Sequence, residues 1–135
     1  MTAVSNPFSR TREDHRTEVA EDYVELIFRM GQSGKDVRTS NLVVALEVSQ
    51  PTVTKALDRL QKEGLVQIHP RRKIELTDAG RALARASLER HDLIVKFLVA
   101  IGVPSVIAEV DAEGIEHHVS ETTLSAIEKF VMGKS

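Results

Sequence analysis

Glu113, Glu116 and His117 stand at i, i+3 and i+4, a spacing that puts all three side chains on one face of a helix. Carboxylates and an imidazole grouped in this way are ligand types for a divalent cation. Asp22 and Glu25 form a second carboxylate pair at i, i+3, beside apolar Tyr23 and Leu26, and His91 falls one turn before Ile94 and Val95. Taken singly, such a pair is more often a solvated face, and a lone histidine on an amphipathic stretch is more often structural than a ligand. The chain contains no cysteine, which excludes disulfides, Cys-ligated zinc or iron–sulfur sites and any thiol nucleophile.

A second constellation suits an anionic partner. Gln50, Thr52, Lys55 and Arg59 project from the polar side of one amphipathic segment, whose Val53, Leu57 and Leu60 sit at i, i+4 and i+7. Glutamine and arginine can make paired hydrogen bonds to base edges, and lysine and threonine can reach phosphates. The triplet Arg71, Arg72, Lys73 adds positive charge at the tip of a following hairpin, where it can track the backbone or an adjacent minor groove. An isolated basic triplet is usually a charged turn. Here a capped short helix, a tight turn, a Ser-Gln-Pro-Thr start, a basic face and a basic hairpin occur in one order within some forty residues, which points to DNA.

The elements that must position these groups follow from local pattern. Residues 1 to about 11 read as a flexible lead with Asn6-Pro7 as a breaker. A helix is expected from about Arg12 to Met30, carrying Val19, Tyr23, Leu26, Ile27 and Met30 at helical spacing, and Gly31 and Gly34 close it. Thr39, Ser40 and Asn41 are candidate caps for a short helix over 42–48. Ser49 then caps a second one with Pro51 in its first turn, where the missing amide is harmless. Gly64 ends that helix, and 65–68, 69–72 and 73–77 read as strand, turn, strand. A long helix follows from Asp78 to about Ile101, with Ile94, Phe97, Leu98 and Ile101 on one stripe, stopped by Gly102 and Pro104. Helices over about 105–118 and from Ser120 onward complete the chain, the last with Leu124, Ile127 and Val131 on its apolar face. The expected fold is mainly α: a winged helix-turn-helix DNA-binding domain over 12–77, then an all-helical metal-binding and dimerisation domain over 78–135.

Charge is segregated along the same boundary. The formal charge is −2 over 135 residues, but residues 38–73 hold seven Lys and Arg against three acids, a local charge of +4. Residues 105–128 hold six acids, no Lys or Arg, and two histidines. One region is suited to an anion and the other to a cation. At 41% hydrophobic and 28% charged residues the chain can bury an ordinary aliphatic core. No stretch approaches the roughly 20 apolar residues of a membrane span, and with no signal core the expectation is a cytoplasmic protein, with no membrane partner and no small organic substrate.

Glu-Asp-Tyr-Val-Glu at 21–25, Val-Ser-Gln-Pro-Thr-Val at 48–53, Arg-His at 90–91 and Asp-Ala-Glu-Gly-Ile-Glu-His-His-Val-Ser at 111–120 resemble the DtxR family of metal-dependent transcriptional repressors, in its manganese-responsive branch. The resemblance covers about residue 12 to the end. It implies that Asp22, Glu25, His91, Glu113, Glu116 and His117 form a paired-metal site between the two domains, holding two Mn²⁺ per subunit. It also implies a homodimer on a near-palindromic double-stranded DNA operator, repressing manganese-uptake genes. Four carboxylates and two imidazoles are a hard, oxygen-rich set that favours Mn²⁺ over thiolate-loving metals, and four carboxylates offset two divalent charges. In iron-responsive relatives a Met and a Cys stand where this chain has Asp22 and Glu113. Fe²⁺, Zn²⁺ and Cd²⁺ are the expected competitors. His118 points about 100° away from His117 around a helix, a supporting place rather than a ligand's. Lys73 stands where relatives carry Gly, so the wing is expected to turn differently. Two other readings share these residues: a winged-helix regulator answering Fe²⁺ or another ligand, and, more remotely, a two-metal hydrolase.

Overall fold

The structure is a computed structural model that describes residues 7–133, with side chains from Arg16 onward. Along the chain run α1 (Pro7–Gly31), β1 (Val37–Arg38), α2 (Thr39–Leu46), α3 (Gln50–Lys62), β2 (Val66–Ile68), β3 (Lys73–Leu76), α4 (Asp78–Ala100), α5 (Ser105–Ile115) and α6 (Glu121–Met132). The chain is mainly helical. It divides into two compact units, Val19–Arg85, and Ala86 onward together with the chain up to Glu18.

The unit of residues 19–85 is built on a core in which Val24, Leu42, Val53 and Leu57 are fully buried. Val53, Leu57 and Leu60 line the inner side of α3, as their spacing requires, and the Ser49 hydroxyl caps that helix by accepting from the Thr52 amide at 3.3 Å. Glu47, with φ 55°, ends α2 and turns the chain into α3. The sheet is antiparallel in the order β1-β3-β2, with Val37 opposite Ile74 and Val66 opposite Leu76. Val66, Ile74 and Leu76 point inward while Gln67 and Glu75 are exposed, the period-two alternation of a half-buried sheet. Thr77 joins wing to α4: its hydroxyl donates to the Gly64 carbonyl at 2.6 Å and accepts from the Gly80 amide at 3.1 Å. A Cβ at Gly80 would collide with the Leu65 carbonyl oxygen, so only glycine lets α4 start this close to the strand.

In the other unit Ile94 and Leu98 of α4 pack on Ala108 and Ala112 of α5, small residues that let the two helices approach. Gly102, at φ 106°, turns the chain between them, and the Ser120 hydroxyl caps α6 through the Thr123 amide at 3.1 Å.

Several elements depart from the sequence expectation. The first helix starts at Pro7 rather than near Arg12, and proline suits a first helical turn because its φ is already helical. Residues 1–6 of the expected lead lie outside the described residues. The short helix is Thr39–Leu46, and its cap position is Arg38, whose amide donates to the Asn41 side chain at 2.8 Å. Asn41 therefore reaches back to the cap from the third position. Strand β1 is too short to leave a pattern of its own and exists because β3 offers it a partner. Helix α5 stops at Ile115, so Glu116 is its C-cap and His117 and His118 lie in the turn beyond. Ile101 is 55% exposed and does not join the buried stripe.

Candidate metal centre and nucleic-acid interface

His91 is the hub of the acidic region. It is carried on α4 three residues before the buried Ile94, and packing leaves it 4% exposed. Its Nδ1 donates to Glu116 Oε2 at 2.8 Å and lies 3.7 Å from Glu113 Oε1. Its Nε2 donates to Glu109 Oε2 at 2.7 Å. With a carboxylate at each ring nitrogen the pattern is that of a protonated imidazolium. Burial alone would push this imidazole down. The hydrogen bonds to Glu109 and Glu116 and the charges of Glu116 and Glu113 together outweigh it, holding His91 above the usual histidine value.

One ligand atom from each of His91, Glu113 and Glu116 falls within 4.8 Å of the others. Glu116 is 1% exposed, and a carboxylate buried so deeply requires nearby positive charge. These donors fit a hard divalent cation: one imidazole nitrogen and two carboxylates, with no sulfur. His117 continues the group, its Nε2 lying 3.3 Å from Glu116 Oε1. Although α5 ends before them, Glu116 keeps a right-handed helical backbone at φ −57°, so the i, i+3 relation to Glu113 survives the helix end.

Two neighbours escape a reading of spacing alone. Glu109 sits one turn before Glu113 on α5, but an i, i+4 pair of acids on a helix does not by itself single it out. Glu18 of α1 brings a carboxylate oxygen within 4.8 Å of a His117 nitrogen and 3.4 Å from His118 Nε2; it precedes Asp22 by one helical turn. Asp22 and Glu25 are carried on α1 in the unit of residues 19–85, Asp22 half-buried and Glu25 buried. Glu25 Oε1 accepts from Arg29 Nη2 at 2.7 Å.

On α3, Gln50, Thr52, Lys55 and Arg59 are all exposed. An open groove runs along this helix, lined by Gln50, Thr54, Lys55, Asp58, Arg59 and Lys62; Thr52 lies outside it, while Thr54 and Lys62 extend the polar stripe beyond the expected residues. Thr52 shares a 2.8 Å hydrogen bond with the Ser49 hydroxyl, and Arg59 Nε donates to Glu63 at 3.1 Å. Both side chains are therefore steadied at the helix ends. The wing turn over Pro70–Arg72 is tight, with positive φ at Arg71 and Arg72; Arg71 and Arg72 are exposed and Lys73 is half-buried.

Comparison with known proteins bears on both surfaces. A model of the iron dependent repressor N-terminal DNA binding domain matches residues 15–74, and one of the iron dependent repressor metal binding and dimerisation domain matches residues 77–133. The chain is 46% identical over 123 residues to the transcriptional regulator MntR of Escherichia coli O6:H1 strain CFT073, covering 91% of this chain and 79% of that one. Among solved structures it resembles a manganese-dependent transcriptional repressor in complex with manganese, at 32% identity and a TM-score of 0.74. It also resembles ScaR with bound Zn²⁺, at 26% identity and a TM-score of 0.74. Each alignment covers 83% of this chain, and the chain spans about half the length of those solved chains, 52% and 53%. A basic helix-turn-helix surface in one unit, a buried histidine–carboxylate cluster in the other, and two family models meeting where one region gives way to the next have a common explanation: the chain belongs to the iron-dependent repressor family of metal-regulated, DNA-binding transcriptional regulators.

Proposed function

We propose that this protein is a manganese-responsive repressor of manganese-uptake genes, acting in the cytoplasm as a homodimer on a near-palindromic operator. The observation that carries the metal half is the convergence of His91, Glu113 and Glu116 on one small volume, in a chain without a single cysteine. The likeness to a manganese-dependent transcriptional repressor solved with manganese, at 32% identity, supports the choice of manganese. As a member of a repressor family the chain is a regulator and not an enzyme, so a hydrolytic reading has no place. A primary response to Fe²⁺ is less favoured, because hard oxygen donors replace the softer ligands of iron-responsive relatives.

The proposed ligands are Asp22, Glu25, His91, Glu113, Glu116 and His117, with two ions per subunit; Fe²⁺, Zn²⁺ and Cd²⁺ compete for them. A bound divalent cation supplies the positive charge that allows several carboxylates to lie close together without mutual repulsion. Glu116, held by its burial, and His91, held by α4, present their donors in nearly fixed positions. Glu113 is half-exposed and free to adjust. Gln50, Thr52, Lys55 and Arg59 read or grip the duplex from α3, with the wing triplet beside them. Metal and DNA favour the same conformational state and therefore favour each other. Operator affinity measured by gel shift in chelator and in Mn²⁺ tests this; equal affinity in both refutes the metal switch. No helix among the described residues is long and apolar enough to cross a membrane.

A further inference from the structure

We propose that the wing meets DNA through one side chain, Arg71, and that Asp36, Arg38 and Thr39 are positioning residues that hold it in place; this rests on the DNA-binding reading above. Arg71 and Arg72 both adopt the left-handed backbone region, at φ 65° and 59°. Glycine and asparagine enter that region easily, whereas the Cβ of arginine resists it. A tip strained at two consecutive residues persists only where its surroundings over-determine it.

Three ties do so. Arg38 Nη1 donates to the Arg71 carbonyl at 3.1 Å, and Arg72 Nε donates to the hydroxyl of the buried Thr39 at 3.4 Å. Asp36 spans the strand ends, with one carboxylate oxygen 3.5 Å from Arg38 Nη2 and the other 3.5 Å from Lys73 Nζ. Pairing of Arg38 with Lys73 across β1 and β3 sets the register that brings these groups together. Each contact is partly exposed and weak alone, but all three act on three consecutive residues.

The basic triplet is thus not three equivalent cations. Arg72 and Lys73 are engaged with the wing's own base. The Arg71 side chain is exposed, and among the described residues its guanidinium has neither a hydrogen bond nor an ion pair. A forked cation at the apex of a rigid hairpin suits the phosphate backbone or a narrow minor groove.

The test uses the whole chain with Mn²⁺ and a duplex enriched from a random pool by the wild-type protein, with affinity measured across a range of salt. Arg71→Ala is expected to lower affinity about tenfold and to reduce the salt slope by roughly 0.9 per bound chain, with Arg71→Lys restoring most of the slope. Arg72→Ala and Lys73→Ala should change the slope by less than half as much. Arg38→Ala should weaken binding in the wild-type background and add nothing to Arg71→Ala. Asp36→Asn, which removes the bridging charge at constant size, repeats that comparison should Arg38→Ala lower thermal stability. Additive losses from Arg38→Ala and Arg71→Ala, or equal slope changes from all three wing variants, overturn the assignment while leaving DNA binding intact. Failure of the wild-type chain to enrich any duplex overturns the DNA-binding reading and the wing assignment with it.

Discussion

His91 lies between carboxylates from both sides of its ring, an arrangement that favours its protonated form in the metal-free chain. Because its value in the folded chain is raised, protonation favours folding. That contribution is fully present below the unfolded value of about 6.5 and is lost as the pH rises through the elevated folded value. Urea unfolding of the metal-free chain, compared with His91→Gln in steps of pH, should show the difference between the two shrinking over that interval; a constant difference would argue against it. The hydrogen bond to Glu109 is one of the causes. Glu109→Gln removes its charge 2.7 Å from Nε2 and should lower the His91 titration midpoint, read from the imidazole carbon-bound proton resonances. An unmoved midpoint would mean that Glu113 and Glu116 hold the proton alone. At this scale the residue types and the i, i+3 spacing are legible in the sequence, and Glu113, Glu116 and His91 do converge. Glu109 and Glu18 are not, because their significance lies in what α4 and the turn after α5 set against them.

Elements follow local chemistry where a single side chain decides a boundary. The cap at Ser49 with Pro51 behind it starts α3 where expected, because capping and a preset φ are properties of the residues themselves. Boundaries set by a partner leave no such mark, as at β1, which forms only against β3. Gly80 belongs to this second kind: nothing in Asp-Ala-Gly-Arg announces that the Leu65 carbonyl will press against its α-carbon. Gly80→Ala should destabilise the chain by about 1–3 kcal/mol, the cost of an over-packed contact, despite alanine's better helix propensity. Chemical denaturation measures the outcome, and a stabilised variant would mean that α4 does not lie this close to the strand.

At the scale of the whole molecule, the unit from Ala86 onward leaves large apolar side chains in solvent, including Val106 at 77%, Val110 at 70% and Met132 at 67% exposure. Apolar surface on this scale marks an interface, and the family model names this part of the chain a dimerisation domain. Val110→Glu would place a charge in that interface. The variant is expected to run as a monomer by light scattering at concentrations where the wild type is a dimer, and to lose most of its affinity for a two-half-site duplex. An unchanged dimer would place the contact elsewhere. Both functional regions are legible in the charge segregation of the sequence, the cationic one over 38–73 and the anionic one over 105–128. The apolar face is not, because its exposure depends on which sides of α5 and α6 the rest of the unit covers.

Composition, spacing and caps are enough to establish what kinds of groups this protein carries and in which elements: a cysteine-free set of acids and histidines, a polar helix face, a basic hairpin. Those properties are local, and each can be read from a few neighbouring residues. Only the tertiary structure decided which groups meet. It set Glu109 against His91 and Glu18 against His117, tied Arg72 and Lys73 to the base of the wing, and left Arg71 exposed at its tip. Contacts of this kind join residues far apart in the chain, so they depend on how helices and strands pack against one another.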